Sequence, residues 1–399
     1  MNDTAVAVKQ LSGRAGGLRI AIVTETYPPE INGVAMTIGR MVDGLVARGH
    51  DVQLVRPRQS ARDVPASSIG LRETLVKGFP VPRYYGLRMG LPATRMLLRL
   101  WSEERPDIVH LVTEGPLGRS ALIAARRLTI PASSDFHTNF HSYSNHYGLG
   151  LLKPAIAGYL KRFHNSAACT FVPTRELQTQ LTAEGYRDLV VVARGVDTML
   201  FNPARRSEEL RRSWGAAEGD VVVIHVGRLA PEKNLPLVLA AFDAIKRRLP
   251  SSRLVLVGDG PQRAQLQQRH PDHVFAGMRR GEDLASHYAS GDLFLFPSLT
   301  ETFGNVTVEA MASALSVVAY DYAAAREHLV HGETGLLAPC DDAIGFTRLA
   351  VDLAVDGALR SKLGRNARQA ARRIDWGEVV EGFALALRGL AESDESACM

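Results

Sequence analysis

Short apolar runs alternate along the chain with longer stretches in which apolar residues recur every three or four positions. The short runs are typical of buried strands, and the longer spacing is typical of amphipathic helices. The predicted strands are 18–24, 52–55, 108–111, 170–172, 221–226, 254–257, 293–296 and 316–320, and the predicted helices are 34–48, 119–128, 235–248, 306–314 and 376–387. The alternation of strand and helix in both halves predicts an α/β protein with two doubly wound, Rossmann-like domains.

Chain length supports two domains, because 399 residues exceed what one hydrophobic core usually serves. The sequence predicts a loose tail over 1–17, a first domain over 18–200, a second domain over 201–373, and a final helix and tail over 374–399. Pro203 and the charged stretch 205–212 mark the predicted boundary.

Composition indicates a protein of the cell interior. The cysteines Cys169, Cys340 and Cys398 show no C-x-x-C spacing, which predicts a reducing compartment and no structural zinc. No apolar run approaches the length of a membrane-spanning helix. We therefore expect a cytoplasmic protein, either free or peripheral on the inner face of the membrane.

Charge is distributed unevenly. The first 200 residues carry 24 Lys and Arg against 16 Asp and Glu, whereas the rest carry 23 against 26. The cations are dispersed and no nucleic-acid motif is visible, so nucleic acid is not an expected partner. An anionic membrane surface suits a basic first half better.

A segment over 83–101 is the main candidate for membrane contact. Pro92 suits a helix start, and Arg95 and Arg99 then lie apart from an apolar group. The members of that group are Met96, Leu97, Leu100 and Trp101. Such a helix either lies on an anionic membrane or packs its apolar face into the first domain, and the sequence leaves both interpretations open.

Two glutamates carry the most specific chemical signal. Glu301 falls on a strand-to-helix loop and Glu309 about one turn inside the helix, with Gly304 allowing close backbone approach and Asn305 as the predicted N-cap. The unpaired N–H groups of a helix start suit a diphosphate, and the carboxylates suit hydroxyls on either side of it. This pattern predicts a nucleotide-sugar site. In the alternative, Glu301 caps a turn and Glu309 is solvated.

Two cations follow the strand over 221–226. Arg228 and Lys233 lie on the loop at its carboxyl end, where open α/β sheets bind ligands. They would supply the positive charge that a departing diphosphate needs. Alternatively, they are surface cations that pair with Glu232 or with solvent.

The first domain adds two candidates. The turn at Asn32-Gly33 either offers backbone N–H groups to a phosphate or simply joins a strand to a helix. His137 falls at a strand end and is followed by His141 and His146. A metal site is not expected there, because Asp135 is the one nearby carboxylate and the spacings need not share a face.

Several motifs occur in a characteristic order between Leu18 and Leu387. They are Tyr27-Pro-Pro-Glu-Ile-Asn-Gly-Val34, Asp135-Phe-His-Thr138, Arg194-Gly-Val-Asp197, Gly227-Arg-Leu-Ala-Pro-Glu-Lys233, Val257-Gly-Asp-Gly-Pro261 and the pair Glu301 and Glu309 with seven residues between them. This set resembles the family 4 retaining glycosyltransferases, in particular the bacterial GDP-mannose-dependent α-mannosyltransferases and the sulfolipid and glycosyl-diacylglycerol synthases.

The resemblance implies a GT-B fold, in which two Rossmann-like domains face a cleft and the last helix crosses back to the first domain. It also implies transfer of a hexose from a UDP- or GDP-linked donor to a hydroxyl of a lipid or glycan, with retention of anomeric configuration. No cofactor or metal is expected, and the chain contains no Asp-x-Asp.

The family pattern assigns a role to each candidate residue. The implied catalytic residues are Arg228, Lys233, Glu301 and His137, of which His137 contacts the donor sugar. The implied donor-binding residues are Gly33, Phe303, Gly304 and Asn305 for the phosphates, Glu309 for the ribose, and the backbone near Met278 and Arg279 for the base.

The chain departs from the family pattern at two places. Ala314 and Ser316 replace a usual Gly and Pro, and Ala323-Ala324 replaces a usual Gly-Gly turn before Glu327. If those glycines are left-handed, the loop here is expected to differ.

Other functions fit the motifs less well. A dehydrogenase is disfavoured, because Gly258-Asp-Gly260 is followed by Arg263 at the third glycine position. A nucleotide-sugar epimerase, a phosphorylase or a non-catalytic carbohydrate-binding protein would share the architecture without explaining the whole motif set.

Overall fold

The computed structural model describes residues 16–30, 32–60, 62–80, 88–137, 153–301 and 303–397. The strands are β1 (Arg19–Val23), β2 (Asp51–Pro57), β3 (Ser67–Ser68), β4 (Leu71–Val76), β5 (Gly78–Pro80), β6 (Arg88–Gly90), β7 (Ile108–Leu111), β8 (Ala132–Asp135), β9 (Cys169–Val172), β10 (Leu189–Val191), β11 (Val222–Val226), β12 (Arg253–Val257), β13 (Val274–Gly277), β14 (Leu293–Phe296), β15 (Ser316–Tyr320) and β16 (Leu336–Ala338).

Helices follow most of the strands. They are α1 (Gly33–Ala47), α2 (Thr94–Glu103), α3 (Pro116–Arg127), α4 (Lys153–His164), α5 (Arg175–Ala183), α6 (Glu208–Ser213), α7 (Leu235–Arg248), α8 (Arg263–Arg269), α9 (Gly281–Ala289), α10 (Asn305–Ala312), α11 (Ala323–His328), α12 (Ala343–Val355), α13 (Gly357–Ala371) and α14 (Trp376–Ala397).

The strands form two large sheets, which confirms the predicted fold class. The first has the order β10-β9-β8-β7-β1-β2-β4-β3, parallel except between β3 and β4, and the second has the order β13-β12-β11-β14-β15-β16 and is parallel throughout. Near-continuous apolar strands such as β11 are fully buried, as expected for a parallel sheet covered on both faces. In the second sheet the strand order reverses between β11 and β14, which creates a crevice at their carboxyl ends.

The last helix returns to the first domain, as predicted. Val380, Phe383 and Leu387 of α14 are buried in the same apolar cluster as residues of α1 and β1. The helix extends to Ala397, beyond the predicted end near Leu387. The chain therefore crosses between the domains twice, and the two crossings lie side by side where Val196 pairs with Asp375.

The α2 helix packs inward. Leu97 and Trp101 are fully buried against the first-domain core, and α2 contacts α3. The apolar face is thus covered by protein, which is the second of the two interpretations that the sequence left open, while Arg99 on the opposite face is exposed. Within the described ranges, no helix combines the length and apolar character needed to cross a membrane.

Some predicted features lie outside the described residues. These are residues 1–15 of the predicted tail, residues 83–87 of the basic segment, Thr138, His141, His146 and Cys398.

Candidate functional site

The cations and the first glutamate of the pattern meet at the crevice of the second sheet. Arg228 and Lys233 follow β11, and Glu301 follows β14, the strand beside β11. The loops after neighbouring parallel strands emerge at the same sheet edge, so the sheet itself brings these three residues together.

Lys233 and Glu301 form an ion pair. The Lys233 ammonium donates to Oε1 of Glu301, and the Ser298 hydroxyl donates to the same oxygen at 2.9 Å. Both charged side chains are only 14% exposed, so water weakens the pair less than it would at the surface. The Tyr322 hydroxyl also donates to the backbone carbonyl of Glu301 at 2.9 Å, which fixes the loop.

Arg228 lies on the other side of the same turn. Its guanidinium is 3.7 Å from Oε1 of Glu232, and its side chain is 40% exposed. The pairing with Glu232 that the sequence left open is therefore present, although it is long. The structure places Arg228 on the loop that follows β11, beside the crevice.

Two glycines hold this turn in place. A methyl group at Gly258, where φ is +133°, would lie 1.9 Å from the carbonyl oxygen of Gly227, and one at Gly260 would lie 2.5 Å from that of Leu229. Any side chain at either position would push the Arg228 loop away from β12. The two glycines of the Gly-Asp-Gly sequence thus allow the backbones of the two loops to pack closely.

The start of α10 differs in one detail from the prediction. Gly304 occupies the N-cap position with φ +92°, and Asn305 is the first helical residue, so the prediction of Asn305 as N-cap is wrong. The chain needs a left-handed residue to turn from the Glu301 loop into the helix, and glycine adopts that conformation without strain. The Phe303 side chain is buried in the core, so only its backbone borders the loop.

Glu309 is partly buried in α10. The Tyr288 hydroxyl of α9 donates to Oε2 of Glu309 at 2.8 Å, and burial raises the pKa of the Glu309 carboxyl to about 7. Glu309 is therefore not a solvated surface residue, and the pKa of its carboxyl depends on the groups that surround it in place of water.

The first domain presents a helix start to this site. Asn32 caps α1 by accepting from the Ala35 N–H at 2.8 Å, and Gly33 is the first helical residue. A methyl group at Gly33 would lie 3.8 Å from Nδ2 of Asn305, so the N-terminal ends of α1 and α10 face each other across the cleft. Both ends carry partial positive charge, which favours an anion between them.

His137 lies in a buried network of the first domain, just beyond β8. Its Nε2 is 2.9 Å from Oδ2 of Asp135, and its Nδ1 contacts the Arg194 guanidinium. Burial and the Arg194 charge lower the pKa of His137 against the opposing effect of Asp135.

Met278 and Arg279 follow β13 at the same edge of the second sheet but two strands away from β11. Met278 is half exposed. The Arg279 guanidinium donates to the Ala276 carbonyl at 2.9 Å and to Asp283 at 3.0 Å. These residues border one end of the crevice and are separated from the Lys233–Glu301 pair.

The two domains also contact each other through charged groups. Glu176 of α5 accepts from the Arg326 guanidinium of α11 and from the Ala323 N–H at 3.1 Å. Asp321 holds the same guanidinium from its own domain, with the Arg326 Nε 3.2 Å from Oδ1. This contact closes one side of the cleft.

Two alanines adopt the backbone conformation expected of glycine. Ala314 has φ +60° and Ala323 has φ +51°, both in the left-handed region. The expectation that the loop differs where alanine replaces glycine is therefore wrong for the backbone, which keeps this conformation at an energetic cost.

Within the described ranges, no three His, Cys, Asp or Glu side chains are placed to hold one metal ion together.

Two family models match the chain in sequence. Residues 31–200 match the model described as Glycosyltransferase Family 4, and residues 206–370 match the model described as Glycosyl transferases group 1.

Curated relatives cover most of the chain. The GDP-mannose-dependent alpha-mannosyltransferase of Mycobacterium tuberculosis (strain CDC 1551 / Oshkosh) is 37% identical over 327 residues, which are 81% of this chain and 84% of that protein. Sulfoquinovosyl transferase SQD2 of Arabidopsis thaliana is 30% identical over 368 residues, 90% of this chain and 71% of that protein. The alpha-monoglucosyldiacylglycerol synthase of Acholeplasma laidlawii is 27% identical over 323 residues, 75% of this chain and 80% of that protein.

Solved structures share the fold. Sucrose-phosphate synthase from Thermosynechococcus elongatus superposes with a TM-score of 0.75 at 19% identity, over 94% of this chain and 100% of that one. HepE of Anabaena, in complex with UDP and glucose, gives a TM-score of 0.70 at 20% identity, over 93% of this chain and 99% of that one. At these identities the likeness concerns the fold alone.

Proposed function

Because this chain belongs to glycosyltransferase family 4, as its motifs predicted, we propose that it transfers a hexose from a nucleoside diphosphate sugar to the hydroxyl of a lipid-linked acceptor, with retention of configuration. The chain is a glycosyltransferase of the GT-B fold class. The cleft between its two domains would hold the donor and bring the acceptor hydroxyl to the anomeric carbon.

One observation carries the proposal. The Lys233–Glu301 pair lies at the crevice between β11 and β14, and the N-terminal ends of α1 and α10 face each other beside it. Positive helix ends and a lysine suit a diphosphate, and a carboxylate next to them suits a sugar hydroxyl. A nucleotide sugar joins these groups in one molecule.

The ribose fits the second carboxylate. Glu309 lies about one helical turn beyond the end of α10 to which we assign the phosphates, and the Tyr288 hydroxyl donates to one of its oxygens. An ionised carboxylate accepts hydrogen bonds from two neighbouring hydroxyls. The backbone around Met278 and Arg279 then lies at the far end of the crevice, where the base would bind.

The reaction breaks the bond between the anomeric carbon and the diphosphate oxygen. The acceptor oxygen forms a new bond to that carbon on the same face, and its proton passes to the departing diphosphate. Negative charge grows on the leaving oxygen, where Lys233, Arg228 and the two helix ends stabilise it. Glu301 orients the sugar hydroxyls and the buried, neutral His137 borders the sugar.

GDP-mannose is the donor that we propose to test first. The M. tuberculosis relative at 37% identity is described as GDP-mannose-dependent, and relatives of that description from Mycolicibacterium smegmatis and Corynebacterium glutamicum are 36% and 34% identical. The relatives named for sulfoquinovosyl transfer and for glucosyldiacylglycerol synthesis support a lipid acceptor.

A lipid acceptor would bring the first domain to a membrane surface. We assign the contact to the antiparallel strand pair β5 and β6, where Phe79 and Leu91 are partly exposed and Leu91 lies beside Lys77. Cations and exposed apolar side chains together favour peripheral binding to the anionic inner face. The Phe79→Ser protein should then sediment less with phosphatidylglycerol vesicles than the unchanged protein, and added salt should release both.

Thermal shift with nucleotides tests the donor site. GDP and GDP-mannose should raise the melting temperature of the unchanged protein and of Glu218→Ala, an exposed control, but not that of Glu309→Ala. Stabilisation by UDP and not by GDP would show that the donor is a UDP-sugar. No stabilisation by any nucleotide would overturn the donor site, and release of free nucleoside diphosphate in a transfer assay separates a transferase from an epimerase.

A further inference from the structure

Arg194 is a buried cation with few partners. Its side chain lies where the chain leaves β10 and crosses to the second domain, and the residue is only 7% exposed. One end of the guanidinium donates to the Thr37 hydroxyl of α1 at 2.9 Å. The other end donates to Nδ1 of His137. Neither partner is a carboxylate, which is unusual for a buried arginine.

This contact determines which nitrogen of His137 carries a proton. A guanidinium only donates hydrogen bonds, so Nδ1 of His137 must act as the acceptor and must be unprotonated. The proton of the neutral ring is then on Nε2, which lies 2.9 Å from Oδ2 of Asp135. The imidazole of His137 thus lies between the buried Arg194 guanidinium and the Asp135 carboxylate and contacts both.

The charged groups around the ring agree with a neutral imidazole. Asp135 lies on β8, with Oδ2 also 3.5 Å from Nε2 of His110 on β7, while Glu114 beyond β7 acts from a greater distance. Burial and Arg194 lower the pKa of His137, whereas Asp135 and Glu114 raise it, and the net direction is downward. Despite burial, the two histidines hold the pKa of Asp135 below its usual range, so the aspartate stays ionised.

We propose that Arg194 is a positioning residue for sugar transfer, which fixes His137 as a neutral ring protonated at Nε2 and ties that ring to the segment that joins the two domains. The inference rests on the proposed function in so far as His137 borders the donor sugar. With Nδ1 occupied and Nε2 directed at Asp135, His137 transfers no proton to or from substrate. This fits a reaction in which the leaving phosphate takes the acceptor proton.

Replacing Arg194 removes both the donor to Nδ1 and the positive charge. In Arg194→Met, Nδ1 loses its donor and one of the influences that lower the pKa of His137 is gone, while Asp135 still accepts from Nε2, so the pKa of His137 should rise. Without the guanidinium, the His137 ring also loses its tie to the segment that joins the two domains and can shift relative to the donor sugar. We expect kcat to fall about tenfold or more, because small displacements of the reacting groups are costly. Arg40→Met is the matched control, since Arg40 also joins α1 to the crossing segment, through Asp197 at 2.7 Å, but is exposed.

Nitrogen NMR of the full-length protein labelled with ¹⁵N-histidine tests the first step, with His137→Asn to assign the signals. In the unchanged protein and in Arg40→Met, His137 should show an unprotonated Nδ1 that does not titrate near neutral pH. In Arg194→Met the His137 nitrogens should gain a proton at a higher pH than in those two proteins. A proton on Nδ1 in the unchanged protein, or unchanged signals in Arg194→Met, would overturn the proposal.

Kinetics test the second step. If the NMR signals change in Arg194→Met but its kcat equals that of Arg40→Met, the positioning role is wrong. If Arg194→Met does not fold, Thr37→Val serves instead, because it removes the hydroxyl to which the guanidinium donates. The kcat of Thr37→Val should be lower than that of Thr37→Ser, which keeps the hydroxyl. Equal kcat values for these two variants would overturn the proposal. Absence of transfer by the unchanged protein with every nucleotide sugar would instead refute the proposed function, and the NMR result would be unaffected.

Discussion

Lys233 donates a hydrogen bond to Glu301 from a loop 68 residues earlier in the chain, at the carboxylate oxygen that also accepts from Ser298. The residue that we assign to the leaving phosphate and the residue that we assign to the sugar therefore touch each other. A donor that binds between them must share the lysine with the glutamate.

We expect Lys233→Ala to lower kcat/KM by about 10²–10³, the usual size for one preorganised electrostatic group. The control is Lys362→Ala, an exposed position of α13 in the same domain. Steady-state transfer assays with GDP-mannose measure the difference. Normal turnover of Lys233→Ala would show that the leaving-group assignment is wrong.

Nucleotide binding should depend on pH through Glu309. Its pKa is raised from 4.5 to about 7, so the neutral carboxyl stabilises the fold fully below pH 4.5, and this contribution is lost as the pH rises through about 7. Ribose hydroxyls donate to the ionised form. Affinity for GDP should therefore rise with pH up to about 7 and then level off, with protons released on binding below that pH.

Calorimetry in buffers of different ionisation enthalpy counts those protons. The Glu309→Gln protein should bind more weakly and release fewer protons, because the terminal phosphate of GDP still titrates in this range. A proton release in Glu309→Gln equal to that of the unchanged protein would assign the titration to another group.

Gly33→Ala should separate stability from binding. Alanine favours a helix over glycine by up to about 1 kcal/mol, and the added methyl group meets only Nδ2 of Asn305, at 3.8 Å. The melting temperature should hold or rise, while KM for the donor rises because the methyl group narrows the gap between the two helix starts. An unchanged KM would remove Gly33 from the phosphate site.

Ala314→Gly should relieve backbone strain. A left-handed conformation costs a residue with a side chain about 1–2 kcal/mol. Glycine avoids this cost, but it loses about 0.5–1 kcal/mol more than alanine on folding because its unfolded chain is more flexible. We expect a gain near 0.5 kcal/mol in the free energy of unfolding, measured in urea. Ala358→Gly, in the right-handed helix α13, should lose stability instead.

The contact between Glu176 and Arg326 should contribute modestly to closure. The two side chains are 27% and 47% exposed, and exposed ion pairs contribute about 0.2–1 kcal/mol. Glu176→Gln should therefore raise KM for the donor by up to about fivefold at low salt. Salt should remove the difference because it screens the pair, and a difference that persists at high salt would point to another cause.

Much of the fold could be predicted because buried parallel strands have a recognisable sequence pattern. The predicted strands 108–111, 293–296 and 316–320 have the observed bounds, since each is a short and mainly apolar run. Short edge strands such as β3 and β6 carry no such run, and the sequence did not indicate them. The α2 helix shows the other limit, because a basic amphipathic pattern does not say whether the apolar face meets protein or lipid.

The candidate site was predictable where residues follow a strand end. The sequence placed Lys233 and Glu301 each on a loop after a buried strand, but that they meet follows from the pairing of β11 with β14, which the sequence did not predict. Tyr288 and Arg194 were missed as site residues, since Tyr288 lies inside an ordinary helix and Arg194 is buried beside His137 only in the folded chain. The prediction of Asn305 as N-cap was wrong because Gly304 adopts the left-handed conformation and takes the N-cap position itself.

The two side-by-side crossings between the domains have a mechanical consequence. The Val196 N–H donates to the Ile374 carbonyl at 3.0 Å, so the segment that leaves the first domain is bonded to the segment that returns to it. Arg194 fastens the outgoing segment to the first domain, while Arg368 fastens it to the second through the carbonyls of Thr198 and Phe201. Because two segments joined in this way resist twisting, we expect any opening of the cleft to bend the few residues between the two arginine contacts.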